Sequence, residues 1–405
     1  MTACRPSLDP DTLLADAETL LARFASPLYV YNPSQARAQL RHLQTAFADL
    51  PLQIRYAVKA NPCRDILTAL REPLDGERSG IASVDVASRG ELALAHGVGF
   101  SGDTIVFTGP GKGDDELRVA IDAGAHISVE SLGEIERLAH LARRARHNTE
   151  ASVDTASDAA SSTPDTASDA PDTASDQPVA VRLRINPREM IHAYGLATGG
   201  GPSPFGIDEE RLPDAAASLR RHRDVLRFEG IHVHPGSQCF SAAAMARSFK
   251  ATLALARGLE KRESLASSVI NLGGGLGFAS WQEGSTLDLA DLSARLAALW
   301  HDHGKASVTA RGGQTTLELE PGRFIAGPAG RYLCRVIDVK VSRDRRFVVI
   351  DGGMHHLLAA TGIYGPRPPR APLLDNLTGM AAGRPRQRCT VVGRLCTPLD
   401  TLAED

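Results

Sequence analysis

The chain alternates short apolar, β-branched runs with longer amphipathic stretches. The runs that read as strands are Ile54–Asn61, Ser83–Ser88, Thr104–Pro110 and His126–Ser131, then Val179–Pro187, Phe228–Gly236, Val269–Gly275 and Thr316–Gly322. Stretches of helical pattern lie between them, among them Gly113–Ala123, Leu132–Arg146, Glu209–Arg221, Ala242–Arg262 and Leu287–His301. Within the second of these, Leu132, Ile135, Leu138, Ala139 and Leu141 fall near the helical repeat. Eight β-α units in succession predict an α/β fold, a parallel (β/α)8 TIM-like barrel; a doubly wound sheet is the other arrangement open to this alternation.

The ends are patterned differently. Pro27–Tyr31 is a short strand ahead of the barrel, and after Gly327 the runs RYLCRVIDVKVSR, RFVVIDGG and QRCTVVGRLC alternate or are β-branched. These predict a C-terminal all-β domain over 328–405, to which an N-terminal segment, 1–35, contributes, leaving 36–327 as the barrel. One stretch, 151–178, breaks the pattern. It repeats Asp-Thr-Ala-Ser-Asp from Asp154, Asp165 and Asp172, and Val153 is its one large aliphatic residue. So little apolar surface does not offset the entropy of ordering, and the stretch reads as a disordered insertion. It falls between the fourth helix and the fifth strand, on the barrel face opposite the chemistry.

Composition narrows the partners. Lys and Arg total 45 against 48 Asp and Glu, a net charge of −3. That balance gives no electrostatic reason to expect nucleic acid or an anionic membrane. There is no apolar run long enough to span a bilayer, and MTACRPSLDPD lacks the basic-then-apolar pattern of a signal peptide. The six cysteines, without a C-x-x-C pair, read as reduced thiols of a cytoplasmic protein rather than a disulfide framework or a metal site.

Barrel chemistry sits at the C-terminal ends of the strands. The first strand ends YAVKAN, where Lys59 lies between apolar neighbours. Partial burial favours the free amine, which can form a Schiff base. The sixth ends GIHVHPGSQ, with His232 and His234 on one side of the strand. No third ligand with convincing spacing supports a metal. The seventh ends NLGGGLG, and Gly273, Gly274 and Gly275 allow backbone N–H groups close to an anion. The eighth ends ELEPGR, placing Glu320 at the mouth with Gly322 and Arg323 beside the glycine run. A Schiff-base lysine, an aromatic base, an anion loop and a carboxylate together suit pyridoxal 5′-phosphate: the glycines hold the phosphate, and the carboxylate keeps the pyridine nitrogen protonated.

With YAVKAN, VDVASRGEL, ISVESLGEI, GIHVHPGSQ, NLGGGLG, EPGR and VVGRLCTPLD in this order, the sequence resembles the fold-type III pyridoxal-phosphate decarboxylases, the group of diaminopimelate and ornithine decarboxylases. The resemblance implies an α-decarboxylase of an amino acid or a conjugated amino acid, acting as a homodimer with shared active sites. It implies that Lys59 carries the cofactor, that His234 stacks on the pyridine face, and that Ser237, with Gly273, Gly274 and Gly275, contacts the phosphate beside Gly322 and Arg323. Glu320 matches the pyridine-nitrogen partner. Asp85 and Glu91 match acids near the lysine, and Cys396 matches a catalytic cysteine donated by the other subunit. A non-catalytic homologue that binds the cofactor or a partner, and an amino-acid racemase, are the contrasting readings.

The sequence departs from the family at points that bear on substrate. Thr397 follows Cys396 where the family commonly has an acid that pairs with a distal amino group. After Asp351-Gly352-Gly353, the Arg-Pro-x-x-Tyr signature of diaminopimelate decarboxylases is missing, and the family's Ser-Lys-Phe-Gly is Ser203-Pro204-Phe205-Gly206. These changes argue against free diaminopimelate, ornithine or lysine and toward the subgroup acting on conjugated, for example carrier-linked, amino acids. The family pattern also continues beyond the Cys-to-Asp stretch with a Gly-Ala-Tyr, whereas this chain stops at Asp405, so a shortened C-terminal domain is expected.

Overall fold

The structure is a computed structural model that describes residues 19–73, 80–158, 177–189, 193–278, 286–306, 315–363 and 387–404. The chain forms two compact units. One comprises Leu40–Gly277 and Leu287–Arg323; the other comprises Met1–Gln39, Phe278–Thr286 and Phe324–Asp405.

The first unit is a closed parallel barrel. Its strands are β1 (Leu52–Ala57), β2 (Ser83–Val86), β3 (Ile105–Phe107), β4 (His126–Val129), β5 (Val179–Asn186), β6 (Leu226–His232), β7 (Val269–Asn271) and β8 (Thr316–Leu319). Each pairs in parallel with the next, and β8 closes the ring on β1 through Leu317↔Leu52 and Leu319↔Ile54. Closure removes any sheet edge. Helices cover the outside, so both strand faces are buried. This is why β2 is buried at every position and β5 at all but its first.

All eight strands of the sequence pattern are present, and each is shorter at the C-terminal end. β1 stops at Ala57, and Val58–Ala60 forms a 3₁₀ turn closed by Asn61 N donating to Val58 O. β7 and β8 stop before their glycines, which turn out of the ladder. The helix after β4 runs from Leu132 to Asp158, so the first residues of the expected insertion, 151–158, are helical. The rest of that stretch, 159–176, lies outside the described residues.

Inward-facing positions of the barrel carry charge where aliphatic layers are usual. Arg55 Nη2 lies 2.7 Å from Glu318 Oε1, and Arg182 bridges Glu318 and Glu229, the latter at 2.8 Å. His126 Nδ1 lies 2.9 Å from Glu229 Oε2. Burial alone would raise the Glu229 carboxyl, yet His126 and Arg182 bring it down to about 2. Glu318 is held low against burial by Arg55 and Arg182.

In the second unit, Leu28–Tyr31 pairs antiparallel with Gly330–Leu333. A four-stranded sheet runs in the order Val336–Ser342, Arg345–Ile350, Thr390–Val392, Thr401–Glu404. Val348, Ile350, Val391, Leu402 and Ala403 form its core with Ala360. Among the described residues, no helix is long and apolar enough to cross a membrane.

Candidate active site

The C-terminal ends of the barrel strands gather the polar residues singled out in the sequence. The 3₁₀ turn after β1 presents Lys59, whose side chain is half exposed, with Nζ 3.7 Å from Asp85 Oδ2 at the end of β2. Asp85 is buried and accepts a hydrogen bond from Thr108 Oγ1 at 2.5 Å. Burial, then the nearby charge of Glu320, pushes its carboxyl up to about 6, against the opposing pull of Lys59 and Thr108. Two buried carboxylates facing one amine compete for its charge.

Glu320, one residue beyond β8, is also buried. Its Oε1 accepts from Asn271 Nδ2 at 2.6 Å, and its Oε2 faces His232 Nε2 at 3.2 Å. Burial opposes its ionisation, but His232, then Lys59 and His234, hold it well below the ordinary carboxylate range. Glu320 thus stays a carboxylate with lone pairs to spare, which suits a partner that carries N–H⁺.

His232 is buried, and its Nδ1 lies 3.0 Å from Ser128 Oγ. Its ring sits edge-on to His234, with centroids 6.5 Å apart. Thr198 Oγ1 donates to the His234 carbonyl at 2.7 Å and lies 3.1 Å from His234 Nδ1. A hydroxyl has one proton, so its oxygen accepts from Nδ1–H, and Nε2 is the unprotonated nitrogen of a neutral ring. Burial, with Lys59 and Arg184 adding to it, pushes the His234 imidazolium down to about 3, so the ring is neutral at physiological pH.

The glycine run lies against the His234 segment and the Glu320 carbonyl. Gly273 and Gly275 have φ of +74° and +90°. A Cβ on Gly273 would lie 2.5 Å from Val233 O, and one on Gly274 would overlap the Glu320 carbonyl. No side chain fits here, so the loop offers only backbone. Gly273 N donates to Asn271 Oδ1 at 2.8 Å, whereas the N–H groups of Gly274 and Gly275 make no hydrogen bond among the described residues. Ser237 lies in a two-residue antiparallel pairing, opposite Leu196. Gly322 lies against the Lys59 turn, since a Cβ there would be 2.9 Å from Ala60 Cβ. Arg323 follows it, exposed.

Other assignments change. Glu91 is occupied in capping the helix Arg89–Gly97: its Oε2 accepts from Ala87 N at 2.8 Å, while Ser88 Oγ accepts from Glu91 N. The Ser88-x-x-Glu91 spacing of a capping box was the available sequence signal. Around the Ser203–Gly206 loop, Glu130 accepts from Gly109 N, Arg184 Nη1 and Gly206 N, and the Arg184 guanidinium lies 4.8 Å from the Phe205 ring centroid. Cys396 belongs to the second unit, where it is a free, exposed thiol. Among the described residues, no His, Cys, Asp and Glu cluster has the makings of a metal site.

These residues fit pyridoxal phosphate. Lys59 supplies an accessible amine and Glu320 an ionised acceptor, while Gly274, itself buried, presents an N–H without a partner among the described residues. A closed (β/α)8 barrel with this arrangement at its mouth, joined to a β-sheet unit, defines a fold-type III pyridoxal-phosphate enzyme. Residues 34–327 match the family described as pyridoxal-dependent decarboxylase, pyridoxal binding domain, and the chain belongs to that family. It is 31% identical over 396 residues to the L-glutamyl-[BtrI acyl-carrier protein] decarboxylase of Niallia circulans, covering 96% of this chain and 82% of that protein. It is 30% identical to the diaminopimelate decarboxylase of Methanothermobacter thermautotrophicus, covering 96% and 80%. Its fold is shared with the diaminopimelate decarboxylase of Helicobacter pylori complexed with L-lysine, at TM-score 0.72 and 22% identity over 96% of this chain and 84% of that one. The protein is a pyridoxal-phosphate-dependent amino-acid decarboxylase.

Proposed function

We propose that this decarboxylase removes the α-carboxyl group of an amino acid presented as a conjugate joined through its side chain, such as a carrier-linked acyl group whose α-amino and α-carboxyl groups stay free, and leaves a proton at Cα. The observation that carries this reading is the loop bearing Cys396. Thr397 Oγ1 accepts from Leu399 N at 3.3 Å and brings no charge. Asp400, the one acid of the VVGRLCTPLD stretch, is buried, with Oδ1 accepting from Met354 N and Oδ2 from Leu395 N. The loop therefore has no carboxylate available to a distal ammonium. The carrier-linked substrate of the Niallia circulans relative agrees with this reading.

The cofactor-binding barrel is assigned to 36–327, and the β-domain to 1–35 with 328–405. When bound, pyridoxal phosphate supplies the electron sink that stabilises loss of CO2. Lys59 holds the cofactor, and Asp85 keeps a counter-charge beside Lys59 Nζ. Glu320 would accept a hydrogen bond from the protonated pyridine nitrogen, and the neutral His234 ring would pack against the pyridine. The N–H groups of Gly274 and Gly275, with Ser237, Gly322 and Arg323, hold the phosphate. Cys396 Sγ delivers the proton to Cα from the partner subunit of a homodimer. The assembly is a cytoplasmic one, in keeping with its free thiols.

The substrate class is tested by CO2 release from a free diamino acid and from one amino diacid offered free, as an amide of its side-chain carboxyl and as a carrier thioester of that carboxyl, the α-amino and α-carboxyl groups staying free in each. The expected result is a kcat/KM at least about tenfold higher for a conjugate, the size of one lost or gained charge contact. Preference for a free diamino acid overturns the reading.

A further inference from the structure

The barrel interior holds one side chain that touches both halves of the cofactor site. Asn271, at the end of β7, is fully buried. Its Nδ2 donates to Glu320 Oε1 at 2.6 Å and to Glu318 Oε2 at 3.1 Å, while its Oδ1 accepts from Gly273 N at 2.8 Å. The amide orientation is fixed by its neighbours: two carboxylates can only accept, and a backbone N–H can only donate. Both amide protons and the amide oxygen are used.

We propose that Asn271 is a positioning residue that sets the two ends of the cofactor site together, aiming the Glu320 carboxylate and anchoring the first glycine of the anion loop. The inference rests on the reading that Glu320 pairs with the pyridine nitrogen and the glycine loop with the phosphate. Glu318 lies on β8 and Glu320 one residue beyond it, and both carboxylates meet Asn271 in the barrel interior. Glu318 is neutralised by Arg55 and Arg182. Asn271 lies between the two carboxylates, and a neutral double donor satisfies both without adding a charge. An aspartate in its place would keep the shape, lose both donors and bring a third carboxylate into the cluster. At the other end, the Asn271 Oδ1 contact occupies the Gly273 N–H. Gly273 is thereby held in its left-handed conformation, and the next two N–H groups stay free.

The test measures binding of pyridoxamine 5′-phosphate and of pyridoxamine to the cofactor-free full chain, since neither forms a covalent bond with Lys59. Asn271→Ala is expected to weaken pyridoxamine 5′-phosphate about ten- to hundredfold and to lower its advantage over pyridoxamine, because the phosphate end loosens as well. In a Glu320→Gln background the same substitution is expected to cost markedly less, since Asn271 acts in part through Glu320. Equal cost in both backgrounds, with the phosphate advantage unchanged, overturns the proposal even if the melting temperature falls, because that is the signature of a purely structural residue. If Glu320→Gln alone leaves both affinities unchanged, the pyridine-nitrogen reading of Glu320 fails, and with it that half of the proposal. Asn271→Ser, which keeps a single donor, carries the same comparison should the alanine variant not fold.

Discussion

The most exposed consequence of the site's electrostatics concerns Asp85. Its carboxyl is moved from the ordinary 3.8 up to about 6, first by burial and then by the charge of Glu320. Replacing it by asparagine removes the charge while keeping a polar side chain of the same shape. A raised carboxyl favours the folded state fully below its unfolded pKa, and that contribution is lost as pH rises through the folded value. At about 1.4 kcal/mol for each tenfold, the loss totals about 3 kcal/mol above neutrality. About 2 kcal/mol of it falls between about pH 4.5 and about pH 8. Asp85→Asn is neutral throughout, so its stability relative to the native chain should climb by that amount over the same interval. Taking the difference between the two proteins cancels every titrating group that does not interact with Asp85. The assay is urea unfolding of the cofactor-free chain at several pH values, read as the shift in midpoint of the barrel transition, roughly half a molar or more. A difference that stays flat with pH would refute the argument. A difference that falls as pH rises would show that Lys59 and Thr108 outweigh burial and hold the carboxyl low.

Three further outcomes are expected. Lys59→Ala should abolish the visible absorbance of bound cofactor and any cofactor fixed to the chain by borohydride; fixation at a different lysine, seen by peptide mass mapping, would reassign the site. Gly274→Ala should cost about 1–3 kcal/mol in urea unfolding, because its Cβ would overlap the Glu320 carbonyl, and should weaken cofactor binding as the loop shifts. Mixing inactive Lys59→Ala and Cys396→Ala dimers should restore activity through re-paired subunits carrying one intact site; no recovery despite demonstrated exchange would place both residues in one chain or remove Cys396 from the reaction.

Much of the barrel was legible because parallel strands buried on both faces read as compact apolar runs, and each of the eight runs became a strand. Their C-terminal limits were not, because residues such as Val58 and Leu272 are apolar yet lie in the turns that form the mouth. The helical stretch 151–158 was not legible either, because it carries no apolar stripe at the helical repeat. Lys59, His234, Glu320 and the glycines were legible as local motifs at strand ends. The links that tune them were not. Asn271 to Glu320, Ser128 to His232, and Arg182 to both Glu229 and Glu318 join strands far apart in sequence, and local spacing carries no record of such pairs. The capping role of Glu91 was recoverable from its spacing to Ser88 and was hidden by its nearness to the Lys59 motifs.

Incubating the cofactor-loaded protein with a conjugated amino acid in D2O, and following product mass and CO2 together, separates decarboxylation from its alternatives. Decarboxylation predicts CO2 release matched mole for mole by an amine with one solvent deuterium at Cα, and neither signal from Lys59→Ala. Deuterium at Cα with the carboxyl group retained would instead identify a racemase. Bound cofactor without turnover of either the conjugated or the free amino acids would identify a binding protein, and either result would contradict the account.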